Sequence, residues 1–146
     1  MTPFQAEGRS RWVEKIRDRI GSDATIREGL QDDAALPLMD WGWDRAARLG
    51  ARLSAEQPDL NDEQVVEAAH ELSRLMARVA WLAVYRHQQD AAWMQKTFHT
   101  INETNRQLFG PDAPAFSDQE IADWIASHEN RSNEELVRAL LAHLTP

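Results

Sequence analysis

Between residues 62 and 109 the chain contains neither Gly nor Pro, and its apolar side chains recur at helical spacing. Val65, Ala68, Ala69, Leu72, Leu75, Met76, Val79, Leu82 and Ala83 form a first stripe. The run VAWLAVY at 79–85 is apolar on every face, the pattern of a helix surrounded by protein. A second stripe, Met94, Phe98, Ile101, Asn105 and Leu108, follows the polar run Arg86-His87-Gln88-Gln89-Asp90. The start is marked by Asn61 as N-cap, Gln64 as its capping-box partner, and Leu60 with Val65 as a hydrophobic staple. The end is marked by Gly110 and Pro111.

One helix over this whole span would be about 70 Å long at about 1.5 Å per residue. A compact chain of this length has a radius of gyration of only about 15 Å. Either the helix projects and pairs with another chain, or it breaks near 88–90, where Asp90 could cap a second piece. No residue of the polar run forbids helix, so the pattern favours one long or mildly kinked helix.

The flanks carry the same periodicity. Residues 9–20 read as a short amphipathic helix with Trp12, Val13, Ile16 and Ile20 together, ended by Gly21. Residues 22–36 give only turns. A helix is predicted over 37–57, with Leu38, Gly42, Ala46, Leu49 and Leu53 on one stripe and Pro58 as its stop. Gly42 on a packing face implies close approach of another helix. After a Pro/Ala-rich loop at 112–116, Ser117 and Glu120 cap a helix that runs to about His128, with Phe116 and Ile121 as staple. Ser132 and Glu135 open a last helix carrying Leu136, Val137, Leu140, Leu141 and Leu144. The expected fold is all-α: about five helices packed around one long central helix, as a bundle or a helical dimer. Residues 1–146 read as a single all-helical domain with 112–146 as a C-terminal helical hairpin.

Composition narrows the function. The chain has no Cys, which removes disulfides, thiol nucleophiles and cysteine metal sites and fits a reducing compartment. No apolar run reaches the roughly 18 residues of a membrane span, and the first residues lack the apolar segment of a secretory signal. A cytoplasmic location is expected. The net charge of −8 opposes general nucleic-acid binding, whose affinity comes from neutralising phosphates. Residues 111–146 hold seven acidic and two basic side chains, a surface that could meet a basic partner.

Catalytic signatures are missing: no Gly-rich phosphate loop, no H-E-x-x-H and no G-x-S-x-G. Glu67 and His70 make one E-x-x-H pair of the kind used in di-iron bundles, but the full constellation needs two pairs and further carboxylates. His99 and Glu103, with Asn102 and Arg106 nearby, read as a polar site or as an outward-facing row. No enzymatic activity, metal or cofactor is expected. The residues singled out for interaction are Trp41 and Trp43, which cannot share one helical stripe; Arg45, Arg48 and Arg52, which share a face and whose guanidinium groups could grip a carboxylate or phosphate or line a solvated face; and Asn105. A single Asn on an apolar stripe sets register and oligomer state in paired helices. The leading expectation is a non-catalytic protein–protein interaction module, an adaptor, assembly subunit or regulator. It would act through apolar helix faces and Trp residues on another protein or on itself as a homodimer, with no direct nucleic acid and no membrane. The alternatives are a helical bundle binding a metal or small ligand in its core, and an acidic inhibitor that occupies a nucleic-acid-binding surface.

Overall fold

The computed structural model describes residues 33–57, 59 and 61–145. Among them are five α-helices and no strand, an all-α bundle: α1 (Leu36–Glu56), α2 (Asp62–Val84), α3 (Ala91–Phe109), α4 (Asp118–Ser127) and α5 (Asn133–Leu144). A 3-10 turn, Asp33–Ala35, leads into α1. The expected helix at 9–20, the stop at Pro58 and the Leu60–Val65 staple lie outside the described residues. No helix among the described residues is long and apolar enough to cross a membrane.

The span 62–109 is two helices, which corrects the expectation of one continuous helix. α2 ends at Val84, a single 3-10 turn occupies Arg86–Gln88, and the chain turns back into α3. Asp90 caps α3 by accepting a 2.8 Å hydrogen bond from the Trp93 amide. The reversal is worth more than continued helix because it lays the second stripe on the first. Phe98 and Ile101 of α3 and Leu72, Leu75, Leu82 and Ala83 of α2 all become fully buried in one core. α2, 23 residues long, is the central element and packs on α1, α3 and α5.

Arg86 fixes the corner. Its Nη1 donates to the Ala83 carbonyl and to Asn133 Oδ1, and its Nη2 donates to the Arg131 carbonyl at 2.7 Å. One buried guanidinium thus ties the α2–α3 corner to the turn between α4 and α5. Beside it, His128 is buried, stacks on Trp124 at 5.2 Å and lies 6.1 Å from His87. Burial, with Arg86 and then His87 nearby against an opposing pull from Glu129, lowers the His128 imidazole below its ordinary range.

The capping reading holds at three further starts. Asn61 and Gln64 exchange side-chain and backbone hydrogen bonds, both 2.9 Å. Ser117 and Glu120 do the same at 3.1 and 2.9 Å, and Ser132 Oγ accepts from the Glu135 amide at 3.1 Å. Phe98 meets Phe116 and Trp124 edge-on at 4.9 and 5.1 Å, which seats α4 on α3.

Candidate functional site

Three of the residues singled out in the sequence meet at the C-terminal end of α3. On α1, Arg45 and Arg52 are seven residues apart and lie within about 20° of each other around the helix, whereas Arg48 is turned away from Arg45 by about 60°. Arg45 accordingly faces inward and is only 4% exposed. Arg48 stays in solvent, paired with Asp44 at 3.1 Å. The single face expected of the three guanidinium groups is therefore split.

Arg45 sits among aromatic rings, its guanidinium carbon 5.7 Å from the Trp41 ring centroid and 5.9 Å from that of Phe109. Both distances are within cation–π range. Its ion-pair partner is Asp44, at 3.4 Å from Nη2, a carboxylate that is exposed and shared with Arg48. Nε has no hydrogen-bond partner. Burial is the largest influence on this group and lowers its pKa; Asp44 opposes that shift, and Arg48 adds to it. The cation is retained, because an arginine side chain does not lose its proton in proteins. Its charge is under-compensated by what surrounds it.

Asn105 approaches from α3 and is 1% exposed. Its Nδ2 donates to the Pro114 carbonyl at 2.9 Å, and its Oδ1 has no partner. The polar residue on the apolar stripe thus bonds to a loop of its own chain. One turn earlier Asn102 does the same job more completely, donating to the Phe116 carbonyl at 2.9 Å and accepting from the Phe116 amide at 2.7 Å. Between these anchors the chain turns at Gly110, whose φ of +102° is a conformation that side chains resist. Arg52 secures the helix end below it: Nη1 donates to the Leu108 carbonyl and Nε pairs with Glu56 at 3.2 Å. A cation at a helix C-terminus also complements the helix dipole.

The other wall comes from α5. Trp41 Nε1 donates to Thr145 Oγ1 at 3.1 Å, and Thr145 Oγ1 in turn donates to the Leu141 carbonyl at 2.7 Å. Trp41 is thereby a core residue that pins the end of α5 to α1. The side chain of Trp43 lies outside the described residues. What these ties enclose is a cavity of about 140 Å³ lined by Arg45, Asn105, Phe109, Asp112, Ala113, Pro114 and Leu144. Its lining residues include a buried cation, Arg45, a buried amide, Asn105, and one carboxylate on an exposed loop residue, Asp112.

Phe109, Asp112 and Leu144 were not singled out in the sequence. The available signal was Asn102 and Asn105 on one helix face just before Gly110-Pro111, two amides placed to hold a returning loop.

A larger groove of about 240 Å³ lies between α1, α2 and α3, with Leu49, Leu53, Ala68 and Leu108 among its lining and Gln57, Gln64, Glu67 and Glu71 at its edge. Much of that edge is already engaged: Gln64 in the capping box and with Gln57 at 3.2 Å, and Glu71 with Arg74 at 3.8 Å. Glu67 is exposed and His70 half-buried, and no group of three or more His, Asp or Glu among the described residues is arranged to hold a metal. His99 and Glu103 are exposed. No protein-family model, curated protein or solved structure matches this chain.

Proposed function

We propose that the protein is a ligand-binding helical bundle that takes a small carboxylate-bearing molecule into the cavity at Arg45. The observation that carries this reading is the buried Arg45 guanidinium. It lines the cavity, and its counter-charge is an exposed, shared Asp44. Holding a cation out of water is costly unless it is paired and hydrogen-bonded. A planar fork of N–H donors is the natural partner of a carboxylate. Trp41, Arg52, Asn102 and Asn105 then act as the scaffold that keeps the pocket walls in place.

The test is a thermal-unfolding screen of the protein and of Arg45→Met against small mono- and dicarboxylates. A ligand that binds only the folded state raises stability by about 2.7 kcal/mol at a hundredfold excess over its Kd. The wild-type midpoint is expected to rise with at least one acid. Arg45→Met is expected to fold with an unchanged or higher midpoint, since an apolar side chain of similar length replaces a buried charge, and to lose the response. A destabilised Arg45→Met together with a wild type indifferent to every acid would make Arg45 a structural residue. Dimerisation in native mass spectrometry would then move the assignment to a protein–protein module, with Leu36 and Val66 as exposed apolar side chains to examine.

A further inference from the structure

The wall of the cavity decides what can accompany a carboxylate. Among the described residues that line it, Arg45 is the sole cation, and Phe109, Ala113, Pro114 and Leu144 supply hydrocarbon. Leu144 is buried, and Phe109, Ala113 and Pro114 are half-buried. A second carboxylate would rest against that hydrocarbon with no further cation to meet it, in a lining whose other charged residue is Asp112. An ion held out of water without a partner is costly. An apolar tail is favoured in the same place, since each methylene that leaves water adds about fourfold in affinity. Size sets the length. A cavity of 150 Å³ takes a benzene molecule, so about 140 Å³ admits about six heavy atoms. The carboxylate uses about half of them and leaves on the order of three carbons for the tail.

We infer that the ligand is a short aliphatic monocarboxylate of about four carbons, its charge on Arg45 and its tail against Phe109, Pro114 and Leu144. This rests on the reading of the cavity as a carboxylate site and adds the single charge, the apolar tail and its length. The cation orients the molecule, and the wall discriminates between homologues.

The experiment titrates acetate, butyrate, hexanoate and succinate into isotopically labelled full-length protein and follows the amide signals of Gly110 and Ala113. Butyrate has two methylenes more than acetate and is expected to bind roughly tenfold more tightly. Hexanoate exceeds the cavity and is expected to bind no more tightly than butyrate. Succinate is expected to bind about tenfold more weakly than butyrate, or worse. In Ala113→Leu a larger side chain takes up the room of the tail, so acetate should keep its affinity and butyrate lose its advantage. The length series in the wild type decides the matter by itself if that variant does not fold. Equal affinities for acetate and butyrate, an affinity that goes on rising to hexanoate, or succinate binding as tightly as butyrate each overturn the assignment while the carboxylate site stands. An undiminished preference for butyrate in folded Ala113→Leu overturns the placement of the tail. Shifts that persist in Arg45→Met, or no saturable shift from any of the four acids, remove the carboxylate reading itself.

Discussion

At position 42 the space a side chain would fill belongs to Met76: a Cβ there would fall 2.4 Å from Met76 Cε and 2.6 Å from its Sδ. Two effects oppose each other when Gly42 becomes Ala. Helix propensity favours Ala by about 1 kcal/mol. Crowding a packed core costs about 1–3 kcal/mol, and Met76, although flexible, is fully buried. Gly42→Ala alone is expected to lower stability by about 1 kcal/mol, and in a Met76→Ala background the same change should raise it. Urea unfolding of the four proteins reads this directly; strictly additive midpoints would show that Met76 is not the obstacle. The close approach at Gly42 was legible from its place on the apolar stripe. The burial of Arg45 was not. Nothing in the spacing distinguishes it from Arg52, and only the arrival of α3, the 110–114 loop and α5 on that side encloses one and leaves the other half open.

For whole elements, helix starts were the most readable feature, because a cap is a local bond between residues three apart. The starts of α2, α4 and α5 follow from that chemistry, and α1 follows from its stripe. The break between α2 and α3 is different in kind. Asp90 offers a local cap for α3, but nothing in residues 86–89 forbids continued helix, and what decides the matter is the apolar area joined when the two stripes close on one another. Arg86 registers this decision through three acceptors on two separate segments. Replacing it with Lys keeps a charge but removes the fork that reaches several acceptors at once. Arg86→Lys is expected to cost about 2 kcal/mol in chemical denaturation. A cost below about 0.5 kcal/mol would mean that apolar packing alone holds the corner.

Across the whole molecule, acid should act in two stages. The His128 imidazole is held below the ordinary 6.5 chiefly by burial, and its Nδ1 has no partner. Once pH falls below about 6.5 the unfolded chain takes up a proton that the folded chain refuses, so stability drops. Glu120, held below 4.5 chiefly by the Ser117 amide, adds a second loss of the same sign when pH falls below about 4.5. His128→Phe keeps a ring against Trp124 and should flatten the first stage. The check is the difference in urea midpoint between about pH 7.5 and about pH 5.5 in the two proteins. An equal drop in both would assign the first stage to other groups.

The hydrogen bond from Trp41 to Thr145 joins positions 104 residues apart, and it has a consequence for the order of events during synthesis. A ribosome releases the chain from its N-terminal side at about 5–20 residues per second. α1 emerges before α5, yet the contact that holds Trp41 is completed only by Thr145 at the end of α5. α1, α2 and α3 must therefore wait for several seconds with one apolar flank uncovered, and a nascent chain stalled before Thr145 clears the exit tunnel should be open to protease at α1. Adding α5 in trans to such a stalled chain should protect it.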